Sequence, residues 1–110
     1  MTSKQTLSTL IWANTSKKDK AGLVPLYLRI TIDGKRAEIS LSKKTEPEKW
    51  NSEKSCISGN SAEVKTFNHY LSTIKSDIHK LFIQLSVLHE KITPQMLSDS
   101  YLGKEPKNKE

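Results

Sequence analysis

One cysteine, four glycines, four prolines, two tryptophans and two phenylalanines are all that this 110-residue chain has of those residue types, and its only arginines are Arg29 and Arg36. A lone thiol, Cys56, excludes an internal disulfide framework and any cysteine-based zinc site. Gly22, Gly34, Gly59 and Gly103 stand singly, so no glycine-rich loop exists to cradle a phosphate group. No stretch approaches the run of about 20 apolar residues that spans a bilayer. Thr2 to Thr9 carries one charge and no apolar segment, unlike a secretory signal. The expectation is a cytoplasmic module with no membrane partner.

Converging catalytic groups are missing as well. His69, His79 and His89 follow one another at ten-residue intervals. On a helix ten residues turn by about 1000° and rise about 15 Å, so the three imidazoles cannot share a metal. Glu46, Glu48 and Glu53 fall in a polar stretch that offers no catalytic pair, and Cys56 has no positioned base beside it. Catalysis, a cofactor, a metal and a small-molecule substrate are therefore not expected.

What is present is charge, unevenly placed. The chain is 35% hydrophobic and 27% charged with mean hydropathy −0.59. That is polar for a globular domain, yet not polar enough for disorder throughout, and the length suits one domain. Residues 1–44 hold nine lysines and arginines against Asp19, Asp33 and Glu38; residues 45–110 hold nine basic and nine acidic residues. The whole formal excess of +6 thus lies in the first two fifths of the chain. Such a field steers a polyanion toward one side of a molecule. A solvated basic surface accounts for the same charges.

The periodicity predicts an α+β domain over 1–103: a three-stranded antiparallel sheet packed against one long C-terminal helix, with a short helix after it. Asp33-Gly34 separates two alternating runs, and Asp-Gly suits a two-residue type I′ turn because both central residues need positive φ. The turn predicts strands over about 25–33 and 35–42, with Ile32 opposite Lys35 and pairing outward to Leu26 opposite Leu41. One face then carries Leu26, Leu28, Ile30, Ala37, Ile39 and Leu41, and a one-residue slip would mix the faces. The third strand is expected over about 6–13. Its inward set is either Leu7, Thr9 and Ile11 or Leu10 and Trp12. Both sets are apolar enough, and Trp12 reads equally as core or edge.

From Ser61, an N-cap type, apolar residues recur at 64, 67, 71, 74, 78, 81/82, 85 and 88, the spacing of one helical stripe. A helix over about 61–89 would be roughly 40 Å long, whereas eight-residue strands reach about 27 Å. Part of the helix must overhang the sheet and needs another partner: a second domain, a second chain or the short helix. Thr93-Pro94 and Gly103 bracket that short helix over about 94–102. Pro47 is expected to start one helical turn that tucks Trp50 against the core, and Tyr70 to pack at the border of the stripe. Residues 104–110 contain no apolar side chain and read as a linker.

The hairpin's other face is the candidate site. A sheet can lie in the major groove of DNA, with arginine or lysine for guanine and phosphate and short hydroxyls for close contacts. Tyr27, Arg29, Thr31, Arg36 and Ser40 supply that inventory, with Glu38 orienting Arg29 or accepting from a cytosine amine. Lys35, Lys43 and Lys44 stand at the margin, and Lys17, Lys18 and Lys20 lie in the basic loop between the first strand and the hairpin. An ordinary solvated face with an Arg29–Glu38 cross-strand pair accounts for the same residues.

The order of these parts (PLYLRITIDGKRAEISL, then EPEKWN, then SAEVKTFNHYLSTIKSDIHKLF) resembles the arm-type DNA-binding domain of tyrosine recombinases. The likeness runs from about Thr6 to Gly103, and points to integrases of conjugative transposons and related mobile elements in Bacteroides-type bacteria. The resemblance implies sequence-specific binding of double-stranded DNA at accessory arm sites flanking a crossover. Cutting and rejoining would fall to a separate domain. The sheet face would read the groove, and the loop lysines with Lys43 and Lys44 would hold the backbone. Other domains or protomers of the integrase would meet the long helix. The catalytic His-x-x-Arg element has no counterpart, because Ser72, Phe82 and Ile92 follow the three histidines at the third position. The chain is thus expected to be an N-terminal, non-catalytic part of a larger protein. The competing reading is a protein-interaction or oligomerisation module built on the long helix.

Overall fold

In the computed structural model, which describes residues 5–103, strands β1 (Leu7–Ala13), β2 (Val24–Ile32) and β3 (Lys35–Thr45) form an antiparallel sheet with β2 in the middle. Helices α1 (Ala62–Leu88) and α2 (Pro94–Leu102) follow. This is the expected α+β order. The linker expected over 104–110 lies outside the described residues. Among the described residues no helix is long and apolar enough to cross a membrane.

The hairpin turns at Asp33 (φ 51°) and Gly34 (φ 83°), the two left-handed residues that a type I′ turn demands. From there the ladder runs in the expected register, from Ile32–Lys35 to Tyr27–Ser40. Beyond Tyr27 it departs. Pro25 pairs with Lys44 and Val24 with Thr45, so the ladder shifts by two residues and Leu26 has no partner in it. The expected Leu26–Leu41 pair is therefore replaced by a bulge, at which Ser42 takes φ 57°. An even shift keeps the faces in phase: Leu26 and Leu41 are both buried, and β3 continues to the buried Thr45.

Burial along β2 alternates without exception. Val24, Leu26, Leu28, Ile30 and Ile32 lie inside, and Pro25, Tyr27, Arg29 and Thr31 lie half-buried on the other face. β1 pairs with β2 from Leu7–Ile32 to Ala13–Leu26, and Ile11 is its buried residue. The inward set is thus Leu7, Thr9 and Ile11. Leu10 and Trp12 face outward, a phase that two apolar sets left open in the sequence.

Both helices cover the inner face. Leu71, Ile74 and Ile78 of α1 join Ile92 and Leu97, from the linker and α2, in one core with the sheet aliphatics. Burying each such side chain contributes about 1.5–3 kcal/mol relative to exposure. Ser61 caps α1 by accepting from Val64 N at 3.2 Å, and Thr93 caps α2 by accepting from Met96 N at 3.1 Å. Gly103, at φ 73°, ends α2 as the left-handed residue expected there. The overhang is real in the sense that the last turns of α1 bury nothing fully: Ile83, Val87 and Leu88 are all exposed.

Two local devices were not foreseen. Gln5 donates to Asp33 Oδ2 (2.9 Å) and to Ile92 O (2.9 Å) while accepting from Ile92 N (2.7 Å). One amide thereby ties the start of β1 to the hairpin turn and to the interhelical linker. After the expected turn at Pro47–Lys49, a two-residue ribbon forms from β4 (Trp50–Asn51) and β5 (Cys56–Ile57). Asn68 of α1 clasps it, its side-chain oxygen accepting from Ile57 N at 2.9 Å and its amide donating to Ile57 O at 3.0 Å. Trp50 packs against the edge of the core, as does Tyr70.

Candidate nucleic-acid interface

Strand alternation sends every second residue of the sheet away from the helices, and the registers arrange those residues in rows. Ser8, Thr31 and Arg36 form one row, Leu10, Arg29 and Glu38 the next, and Trp12, Tyr27 and Ser40 the third. Lys44 stands opposite Pro25 at the end of the face. The sequence-derived residues Tyr27, Arg29, Thr31, Arg36, Glu38 and Ser40 thus do share one surface, and Lys35 flanks it beside the turn.

The middle of that surface is a stacked assembly. The Trp12 and Tyr27 rings lie 5.5 Å apart at 27°. The Arg29 guanidinium sits 5.1 Å from the Trp12 ring centre, and Arg29 Nε donates to Glu38 Oε2 at 2.7 Å. The Lys17 ammonium lies 5.6 Å over the Tyr27 ring and donates to its hydroxyl at 3.3 Å. Cation–π contacts contribute about 0.5–1 kcal/mol each at exposed sites. The same chain of contacts therefore orders flexible basic side chains without removing them from the surface. Arg29 and Glu38 side chains keep 29% and 36% exposure. The sequence leaves Trp12 between core and edge and gives Leu10, 41% exposed in the same rows, no place on the candidate face. Their signal lay in the alternation of β1 once its phase is known.

The basic loop closes on Asp19. Its Oδ1 accepts from Ala21 N and Leu23 N, both at 2.9 Å, and its Oδ2 accepts from Lys44 Nζ at 2.9 Å. The Lys44 hydrogen bond, then the Leu23 amide, hold the Asp19 carboxyl below its ordinary range. Lys18 and Lys20 are exposed and, among the described residues, have no acidic partner within salt-bridge distance. Lys43 goes elsewhere. The bulge turns it toward α1, its ammonium 5.2 Å over the Tyr70 ring at the rim of an open hollow of about 490 Å³ lined by Glu63 and Phe67. The structure thus separates Lys43 from the other candidate residues.

Among the described residues no three His, Cys, Asp or Glu side chains gather where they could hold a metal ion. The residues of the face offer hydrogen-bond donors, aromatic surface and positive charge, the groups with which a protein recognises a phosphate-bearing polymer. The arm DNA-binding domain family matches residues 11–98, most of the chain, from Ile11 near the end of β1 through β2, β3 and α1 to Ser98 within α2. No curated protein and no solved structure matches the chain. The chain belongs to the arm DNA-binding domain family, and DNA is the partner that membership implies.

Proposed function

We propose that the outer face of the sheet lies in the major groove of double-stranded DNA, and that the chain is the arm-site-binding module of a bacterial tyrosine recombinase. One observation carries the reading: the uncovered centre of an arm-domain sheet holds the Lys17–Tyr27–Trp12–Arg29–Glu38 assembly instead of a bare polar surface. β2, the middle strand, reaches deepest toward base edges, bearing Arg29 and Thr31. Arg36, Ser40 and the thymine-methyl-sized apolar contact of Leu10 lie beside it. Lys17, Lys18, Lys20, Lys35 and Lys44 surround this centre and take the flanking phosphates. The chain performs no cutting itself; the recombinase's catalytic domain would do so, in the cytoplasm.

An amide chemical-shift titration with a short mixed-sequence duplex at two salt concentrations tests this. Shifts on residues 8–12, 17–20 and 27–44 that fade with salt are the expected result. Shifts confined to α1, or none at either salt, overturn it. A second reading concerns the overhang, where Val87 is 81% and Leu88 75% exposed on the last turn of α1 beside Ile83. This patch would meet another domain or protomer of the recombinase. Val87→Lys should then abolish any concentration-dependent dimer while leaving duplex affinity unchanged.

A further inference from the structure

The geometry points to Arg29 as a guanine-reading side chain that Trp12 and Glu38 hold in its reading pose. This inference rests on the groove reading above and adds the base, the atoms and the positioning residues.

Arg29 stands on the central strand in the middle row of the face, away from the margins where DNA backbones would run. Its guanidinium is restrained on two sides, by the Trp12 ring at 5.1 Å and by Glu38 Oε2 at 2.7 Å from Nε. With Nε committed, the terminal edge formed by the two Nη groups has no protein partner among the described residues. That edge carries two parallel donors, the fork that matches guanine O6 and N7. Glu38 also favours a base over a phosphate: its charge offsets that of Arg29 and repels a phosphodiester, while a base edge carries no net charge.

Trp12 acts through Arg29, so it is a positioning residue. Its indole Nε1 is buried with no hydrogen-bond partner among the described residues, while its ring stacks on Tyr27 and lies under Arg29. The ring face, rather than the N–H, is what Trp12 offers to Arg29. Phenylalanine should then serve in its place, since it keeps a stacking face and removes a buried unpaired donor.

The test is selection of binding sites from a pool of randomised duplexes by the 110-residue chain and four variants, followed by affinity measurement on the selected duplex. The wild type should enrich guanine at one position. Arg29→Lys should lose that preference, about 5- to 150-fold in affinity ratio, because a lysine ammonium neither stacks flat on Trp12 nor offers a planar pair of donors while bound to Glu38. Trp12→Ala should flatten the same position alone and leave the salt dependence unchanged. Trp12→Phe should restore it, and Glu38→Gln should raise affinity for all sequences while weakening the preference. Replacing that guanine by 7-deazaguanine should weaken wild-type binding and leave Arg29→Lys indifferent. Guanine preference retained in Trp12→Ala or Arg29→Lys overturns the inference alone. So does a loss in Trp12→Ala spread evenly over all positions, which would make Trp12 merely structural. A wild type that enriches no sequence overturns the groove reading and the inference together.

Discussion

The two faces of strand β2 are made by the same nine residues and do opposite things. Toward the helices it presents Val24, Leu26, Leu28, Ile30 and Ile32, each at most 1% exposed. Toward solvent it presents Pro25, Tyr27, Arg29 and Thr31, all half-buried, with Trp12 of β1 and Lys17 of the basic loop laid against Tyr27 and Arg29. The inner set specifies the fold, because each side chain must fill a space that only its size and shape fit. The outer set is relieved of that duty, and its stacked, ion-paired arrangement has no role in closing the core. The lesson is a division of labour at single-residue resolution along one strand, and it can be broken from either side.

The largest expected effect lies on the inner side. Ile30→Ala, in the centre of the sheet, should destabilise the fold by about 2–5 kcal/mol in denaturant unfolding. Thr31→Ala, its immediate neighbour on the outer face, should cost less than about 0.5 kcal/mol, as surface substitutions do. Equal losses would mean that the outer face is structural after all. The converse holds for binding. Arg36→Ala should weaken duplex binding by about 1–3 kcal/mol if Arg36 contacts a base, with its unfolding midpoint unchanged. Duplex affinity that survives both Arg36→Ala and Arg29→Ala would remove the face from the groove.

How much of this was legible depended on whether local chemistry had one answer. Asp33-Gly34 did, since two consecutive positive φ angles suit few residue pairs, and the register followed to Tyr27. The bulge did not. Nothing in Leu41-Ser42-Lys43-Lys44 declares that Ser42 takes φ 57°, a conformation serine adopts only when pairing beyond it repays the strain. The sequence therefore groups Lys43 with Lys44 at the margin of the hairpin, whereas the bulge sets its ammonium over the Tyr70 ring of α1. β1 hid its phase because Ile11 and Trp12 are both large, and only packing decides which is inside. The β4–β5 ribbon is too short for periodicity to reveal, and depends on Asn68, a polar residue eleven positions from its partner. The caps at Ser61, Thr93 and Gly103 were legible for the reason the bulge was not: each uses the residue type that its geometry favours.

The loop sharpens the comparison between ordered and free charge. Lys20 and Lys44 flank the same face, but Lys44 is held by Asp19 and Lys20 is exposed. Lys20→Ala should lower affinity evenly across sequences and reduce the salt slope by about one unit. Lys44→Ala should reduce the slope by less, since its positive charge is already partly neutralised in the free protein. Equal reductions would show that DNA strips Lys44 from Asp19.

That same ion pair sets the smallest effect. The Asp19 carboxyl titrates below its ordinary range because Lys44 and the Leu23 and Ala21 amides stabilise its ionised form. The unfolded chain, with an ordinary value of about 3.9, therefore takes up the proton first as pH falls. The unfolded state binds more protons in this window, so stability rises with pH there. The ordering is fully present above the ordinary carboxylate value and is lost as pH drops through the depressed folded one. Asp33 behaves alike, lowered by the Gln5 hydrogen bond and then the Thr6 amide, but it fastens the hairpin turn rather than the loop. The Ala21 and Leu23 amides should therefore lose hydrogen-exchange protection, measured against the intrinsic rate at each pH, in acid in the wild type and already lack it at neutral pH in Asp19→Ala. The Thr6 amide should keep its wild-type profile in that variant. If Thr6 also loses protection, the loop and the turn open as one unit, and the face is a single cooperative surface rather than a rigid hairpin with an adjustable basic arm.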